Sequence, residues 1–257
     1  MPVSGDVPRE DPAFLEQVGA TYTKASLQDE AIRRLIARTF EPYLEKDGRG
    51  LQLGYSEGVD TKLLCHLVGH MDVVEGCQTF IDEGRAGAPD NLRFHHALFE
   101  DFSLPEGEEP YDYVFGIYVL EHLQDVGHVL RVVRSVLKPE GLFLVVVPNA
   151  RALSRQLARH MGLLDDLTGL TEHDHNHGHR RVYDRVSLNR DIEAGGFRII
   201  AQGGVMLKIL ADFQLDQLMR DGILGEEHVD GLYRLGLEYP DLCGSLFAVC
   251  RAADSGE

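Results

Sequence analysis

The sequence predicts a doubly wound α/β fold with a seven-stranded sheet, and three observations carry that prediction. Seven short apolar runs occur at 50–53, 71–75, 92–96, 111–118, 141–148, 197–202 and 244–250. Several are hydrophobic on both faces, as in the LFLVVV of 142–147, which is how strands covered on both sides read. Helical patterns at 60–68, 77–84, 126–137 and 185–194 separate them by short connections. Strand-helix alternation with right-handed crossovers gives a parallel sheet with helices on both faces.

The elements follow in order. Residues 1–20 are polar and contain Pro and Gly, and they read as a loosely held arm. Over 26–44, Leu27, Ile32, Leu35, Ile36, Phe40 and Leu44 recur at three- and four-residue spacing, which makes an amphipathic helix with Ser26 as N-cap. Two stretches break the later alternation. Residues 151–183, after the fifth run, are polar and histidine-rich, whereas 205–241 reads as two helices at about 207–220 and 225–238. Both are expected to leave from the end of the sheet that carries the first glycine turn, where open α/β sheets bind ligands. The organisation is therefore an arm and helix at 1–45 and a binding core at 46–204 and 242–257, with the 151–183 insertion inside it. The helical insertion at 205–241 caps the substrate or contacts another subunit, so a homo-oligomer is allowed.

Composition narrows the partners. The 257 residues carry 25 Lys and Arg against 42 Asp and Glu, a formal charge of −17. That field repels phosphate backbones and anionic membranes, so a small or cationic partner fits and nucleic acid or a membrane does not. The four cysteines, Cys65, Cys77, Cys243 and Cys250, show no paired spacing and read as reduced, buried small hydrophobes. With no basic start before an apolar run, and no apolar stretch near the 18 or so residues of a span, the expected location is the cytoplasm.

The most informative segment is Leu51-Gln52-Leu53-Gly54-Tyr55-Ser56-Glu57-Gly58, a strand running into a glycine turn and a helix. Gly54 and Gly58 permit backbone conformations and close ligand approach that a side chain forbids. Glu75 ends the next strand 21 positions after Gly54, where a carboxylate accepts hydrogen bonds from both hydroxyls of a ribose and repels a 2′-phosphate. The chain has neither the GxGxxG fingerprint nor a GxxxxGK[ST] loop, and the turn holds no basic residue to meet a pyrophosphate. The expected ligand is a nucleoside without phosphates.

These residues resemble the class I S-adenosylmethionine-dependent methyltransferases, whose first motif is acid-x-Gly-x-Gly-x-Gly. Here it reads Gln52-x-Gly54-x-Ser56-x-Gly58, which departs at the leading acid and at the middle glycine. Glu75 falls where the ribose-binding acid belongs, and Leu98-Phe99-Glu100-Asp101-Phe102 resembles the segment around the adenine. The stretches 111–122, 137–142 and 193–197 are similar to the family's fourth strand and the turns before its fifth and sixth strands. The resemblance covers about residues 30–200 and the last strand. It implies a mostly parallel, Rossmann-like sheet whose helical and loop insertions form a substrate lid. S-adenosylmethionine is the implied cofactor and S-adenosylhomocysteine the product, with Gly54, Tyr55, Ser56, Gly58, Glu75, Gly76, Phe99, Glu100, Asp101, Ile117 and Tyr118 around them. The implied reaction is methyl transfer to an oxygen or nitrogen of a small natural-product, sugar or amino-acid-like acceptor. Carbon methylation, another alkyl transfer and non-catalytic cofactor binding remain open.

His173, His175, His177 and His179 alternate, and in an extended chain all four would face one side, as metal ligands do. Gly178 and the lack of cysteine in the segment oppose that, and no metal is assigned. Acid–base work is the alternative, because an acceptor must lose a proton and imidazole titrates near neutrality. His173 and His179 are the catalytic candidates; the segment Glu172-His173-Asp174 to Gly178-His179-Arg180-Arg181-Val182-Tyr183 resembles one in bacterial small-molecule methyltransferases. Tyr22, His122, Asn149, Arg180, Arg181 and Tyr183 complete the expected substrate pocket. Alternatively, His122, beside Glu121, caps the helix after the fourth strand, and the two arginines pair with the acidic surface.

Overall fold

The computed structural model describes residues 11–13, 15, 16 and 26–253, apart from the side chains of His173 and Asn176. Tyr22 and the His173 side chain, both expected in the site, lie outside the described residues. The first full helix, α1 (Leu27–Phe40), starts where Ser26 and Asp29 form a reciprocal capping box. It stops at Phe40 rather than at Leu44, because Pro42 turns the chain into a 3-10 turn over Glu41–Tyr43.

Next come β1 (Arg49–Leu53), α2 (Val59–Cys65), β2 (His70–Glu75), α3 (Gln78–Arg85), β3 (Leu92–His96), β4 (Tyr111–Ile117), α4 (Val126–Val136) and β5 (Leu137–Pro148). The insertion after β5 carries α5 (Leu153–His160) and α6 (Glu172–Asn176). The chain continues through α7 (Arg185–Ala194), β6 (Phe197–Gly204), α8 (Asp212–Arg220), α9 (Glu226–Glu238) and β7 (Ser245–Ala252). The strands form one sheet in the order β3-β2-β1-β4-β5-β7-β6. The pairs β1–β2, β2–β3, β1–β4 and β4–β5 are parallel, and β7 is antiparallel to both β5 and β6. Strand order reverses between β1 and β4, which opens a crevice at their carboxyl ends.

Each face of the sheet has its own core. On one side Phe40 of α1 packs its ring 6.4 Å from Phe115 and 6.2 Å from Phe247. On the other, Val129, Leu130 and Val133 of α4 and Leu188 and Ile192 of α7 cover Phe143, Val145 and Val147 of β5. Val145 and Val146 face opposite sides and are both fully buried, as the two-sided apolar run predicts. At the middle of β2 the buried Asp72 accepts from the Tyr111 hydroxyl at 2.7 Å and from Arg49 and Arg93 at 2.9 and 2.8 Å. Burial works against its charge, but His95, Arg93, Tyr111 and Arg49 outweigh that and hold the carboxyl well below the usual range.

Because β6 is antiparallel to β7 and β7 to β5, β5 and β6 end at the same edge, and both insertions leave from the crevice side. Residues 205–241 are fastened to α1. The Gln28 amide donates to Asp216 at 2.9 Å, and Arg34 and Arg38 pair with Glu226 and Asp230 at 2.7 and 2.6 Å. The helix expected from 207 begins only at Asp212, since Leu207 is spent on a bridge to Cys243. No described helix is long and apolar enough to cross a membrane.

Candidate active site

The turn after β1 has three residues in the left-handed region: Gly54 at φ 77°, Ser56 at φ 51° and Gly58 at φ 70°. Ser56 holds a conformation that costs a non-glycine residue energy, so its neighbours must enforce it. The Gly54 amide donates to Val74 of β2 at 2.8 Å, and the Gly58 amide to Tyr55 at 2.8 Å. Gln52, at the place of the expected leading acid, is buried and fully used. Its amide nitrogen donates to the Gly54 carbonyl at 3.0 Å and its oxygen accepts from Thr61 at 2.9 Å. A neutral side chain thus braces the loop that an acid braces elsewhere. Tyr55 turns its side chain away from the crevice, stacking edge-on to Phe94 at 5.0 Å, so only its backbone borders a ligand. Gly58 is needed twice over, because a Cβ there would lie 2.2 Å from the Tyr55 ring.

Glu75 closes the other side of the loop. Its carboxylate accepts from the Tyr55 and Cys77 amides, both at 2.8 Å. Burial raises its pKa, and those backbone donors oppose the rise. The Ser56 and Gly76 amides also lower it, so four backbone donors surround the carboxylate. Phe99 and Glu100 lie on a 3-10 turn over Phe99–Asp101, and the Phe99 ring reaches within 3.6 Å of a Cβ position on Gly54. Glu100 is buried and Asp101 exposed, so the two acids of this turn face different surroundings. Gly76 sits beneath Leu15 and Leu98. Glu16 reaches over the start of α3, where Thr79 donates to it at 2.9 Å.

Across the crevice, β4 ends at Ile117, and Tyr118 follows at φ 55° with its amide donating to Val146 at 2.9 Å. Its hydroxyl meets Ser245 at 2.6 Å, and the Arg33 guanidinium stacks 4.4 Å from its ring centroid. Arg33 in turn pairs with Asp60 at the start of α2. Burial raises the Tyr118 pKa against the nearby Arg33 charge, and Asp60 and Glu121 are close enough to add to that rise.

Three residues further on, Glu121, His122 and His179 bring one ligand-type atom each within 4.8 Å of one another. Glu121 is 1% exposed, and neither carboxylate oxygen has a hydrogen-bond partner among the described residues. Burial pushes its pKa up to about 8, opposed by its own backbone and by Arg33 and Arg181. Burial, and then His179, push the His122 imidazole down to about 3. The two rings meet edge-on at 4.8 Å. His179 Nδ1 lies 2.9 Å from Asp174, which also accepts from the Thr171 amide and hydroxyl at 2.8 and 2.7 Å. Burial opposes the Asp174 charge, but His179 and Thr171 outweigh it and hold the carboxyl well below the usual range. An ionised carboxylate only accepts, so Nδ1 donates and Nε2 keeps a lone pair.

The histidine-rich run is therefore not an extended strip. Residues Glu172–Asn176 form α6, where alternate residues do not share a face, and the alternating four-histidine array does not exist. His175 and His177 are exposed. Three of the expected substrate contacts are committed elsewhere. Arg181 donates to the Leu120 and Leu123 carbonyls at 2.7 and 2.6 Å, bracing the turn that carries Glu121 and His122. Asn149 is buried and donates to the Asp241 and Cys243 carbonyls at 2.9 and 2.8 Å. Tyr183, 1% exposed, fills the α4/α7 core with its hydroxyl 3.1 Å from Asp191. Arg180 lies against the same turn, its amide donating to the Glu121 carbonyl at 2.8 Å and its Nε to that of His122 at 2.9 Å. Sequence reasoning missed Arg33 and Asp174, since a charged residue on a helix face or in a polar loop reads as solvated. His122 and His179 were each expected in the site from the sequence, but their meeting with Glu121 was not.

The family model for the methyltransferase domain matches residues 25–202. The chain belongs to that family. This methyltransferase takes S-adenosylmethionine as its cofactor, as the family does. Comparison with curated proteins finds no match. Among solved structures it is similar to the N-methyltransferase NodS of Bradyrhizobium japonicum in complex with S-adenosylhomocysteine, at 12% identity and TM-score 0.58, covering 93% of this chain and 97% of that one. It is also similar to DhpI in a DhpI-SAM-HEP complex, at 18% identity and TM-score 0.58, over 93% and 94% of the two chains. The cyclase SpnF matches at 16% identity and TM-score 0.59, over 90% of this methyltransferase and 83% of SpnF. A fold shared with a cyclase leaves the acceptor to be argued from the site.

Proposed function

We propose that this methyltransferase transfers the cofactor's methyl group to an oxygen or nitrogen of a small molecule. The single observation that carries the reading is the juxtaposition across the crevice. The Gly54–Gly58 turn and Glu75 stand on one side, and on the other Tyr118 leads into a cluster of proton-handling groups, Glu121, His122 and His179. On this reading the backbone of Gly54, Tyr55, Ser56 and Gly58 admits the methionine part, with Ile117 and Tyr118 at its amino-acid end. Glu75 accepts from the ribose hydroxyls, and Gly76 with Phe99, Glu100 and Asp101 encloses the adenine.

Methyl transfer needs alignment more than acid–base force, because the sulfonium already makes the methyl group labile. The acceptor lone pair attacks the methyl carbon in line with the carbon–sulfur bond. Sulfur keeps the bonding electrons, and neutral S-adenosylhomocysteine leaves. The acceptor's proton goes to the cluster. His179 is the favoured member, since ionised Asp174 fixes its tautomer and stabilises the imidazolium that forms. His173 stays a candidate through its place on α6. The formal charge of −17 supports a small, uncharged or cationic acceptor over nucleic acid.

The test is methyl transfer from radiolabelled cofactor to panels of hydroxylated and amino metabolites, with calorimetric titration of S-adenosylhomocysteine alongside. Transfer to a small acceptor, lost in His179→Ala, is expected. Tight product binding with no transfer to any acceptor would replace the reading by a non-catalytic binding protein. Label appearing on carbon would replace it by C-methylation.

A further inference from the structure

The Glu121, His122 and His179 cluster has features that proton transfer alone does not require. Glu121 is almost fully buried, yet both of its oxygens lack a hydrogen-bond donor among the described residues. A buried carboxyl without a donor from another residue either takes up a proton or meets a cation. Two imidazoles converge on the same point, one from the turn after β4 and one from the end of the 151–183 insertion, with the three ligand-type atoms mutually within 4.8 Å. We infer that Glu121, His122 and His179 form a binding site for a divalent transition-metal ion, with at least one coordination position open to the acceptor.

The geometry is close to what such an ion needs. Tetrahedral bonds of about 2.1 Å place ligand atoms about 3.4 Å apart, so a contraction of the order of 1 Å closes the set. The support for the ligands is already in place. Asp174 accepts a hydrogen bond from Nδ1 of His179 at 2.9 Å and leaves Nε2 as the ligand atom, the carboxylate–histidine–metal arrangement that fixes tautomer and ring orientation. Asp174 is itself held by Thr171 and by Arg155 at 3.2 Å. The two chain segments that supply the ligands are tied by their backbones, through the Arg180 amide on the Glu121 carbonyl and Arg181 on the Leu120 and Leu123 carbonyls. The site is therefore held together before any ion arrives. Two imidazoles and one carboxylate suit zinc, iron(II), cobalt(II) or manganese(II) better than magnesium or calcium, which favour oxygen ligands.

The consequence for chemistry rests on the methyl-transfer reading. With an ion held by these three residues, an acceptor hydroxyl at the open position would lose its proton to solvent more readily, and His179, then a ligand through Nε2, would orient the ion instead of taking that proton. The ion, rather than a free imidazole, then favours the ionised acceptor, and a ligand with a hydroxyl beside a second donor atom fits best.

The test uses the full chain stripped with a chelator and titrated with cobalt(II). Visible d–d absorption and calorimetry read the binding, and S-adenosylhomocysteine is titrated separately into every protein. One equivalent of cobalt per chain is expected. Glu121→Gln and His179→Ala should weaken it at least tenfold, and His175→Ala, at an exposed position of the same run, should leave it unchanged. Glu121→Gln keeps the shape of the side chain, and retained S-adenosylhomocysteine binding reports that each variant is folded. No saturable binding by the wild type, wild-type affinity in Glu121→Gln, or loss of binding in His175→Ala would each overturn the site. Cobalt failing while S-adenosylhomocysteine binds sinks this inference alone; S-adenosylhomocysteine failing in the wild type sinks the functional reading instead.

Discussion

Replacing Glu75 by alanine separates two jobs that one carboxylate performs. Its oxygens accept from the Tyr55 and Cys77 amides, which fasten the glycine turn to the end of β2, and on the proposed reading they also accept from the ribose. Removing the side chain leaves two amides without an acceptor. Each such loss costs about 1–3 kcal/mol, and water entering from the crevice keeps the cost at the lower end, so the folded protein loses about 2 kcal/mol. The ligand loses two hydrogen bonds to a charged group, at about 1.5 kcal/mol or more apiece, so affinity falls by about 3 kcal/mol, on the order of 100-fold. Calorimetric titration with S-adenosylhomocysteine measures the second number and urea denaturation the first. Glu75→Gln, which keeps one acceptor oxygen, should fall between alanine and wild type in both. A variant that loses stability yet binds S-adenosylhomocysteine within threefold of wild type would refute the ribose role and leave Glu75 as a brace of the turn only.

Gly58→Ala places a methyl group 2.2 Å from the Tyr55 ring at a positive φ, and should cost about 2–4 kcal/mol by chemical denaturation. Asp72→Asn should lower stability by about 3 kcal/mol at neutral pH, allowing for the partial exposure of Arg93. Because the folded Asp72 pKa is depressed, its contribution is fully present above the unfolded value of about 3.9 and is lost as pH falls below it. The gap in urea midpoint between wild type and Asp72→Asn should therefore narrow progressively once pH falls below about 4. Arg181→Ala removes the donors on the Leu120 and Leu123 carbonyls and should cost about 2 kcal/mol, with methyl transfer falling further than S-adenosylhomocysteine affinity. Tyr183→Phe, which removes one hydroxyl inside a core, should cost about 1 kcal/mol and leave the Michaelis constant for the acceptor within twofold.

The strands were legible because burial on both faces leaves an uninterrupted apolar run, and 92–96 and the helix at 185–194 match the observed β3 and α7 end to end. Boundaries moved where local chemistry intervened, as at Pro42 after α1 or at Leu207, whose pairing with Cys243 delays α8. The glycine turn and the acid beside it were readable because they depend on backbone: positive φ demands glycine, and the distance from turn to acid is set by one βαβ unit. The acceptor side depends on side chains that meet from distant elements. His179 and His122 come within ring contact across 57 positions, which no spacing rule anticipates. Alternating histidines suggested a strip because extended chain was assumed; helical backbone at α6 removed it, and His179 is held by Asp174. Asn149, Arg181 and Tyr183 were polar residues beside a ligand edge, but each satisfies a buried backbone or core need first.

One feature of the sheet bears on how the protein is made. β6 is bonded to β7 and to no other strand, and β7 fills the space between β5 and β6. Until 245–252 leaves the ribosome, the nascent chain holds two open strand edges, on β5 and β6, that face a missing neighbour. Such edges invite adhesion between polysomes, and β7, which follows both of them in the chain, closes both at once.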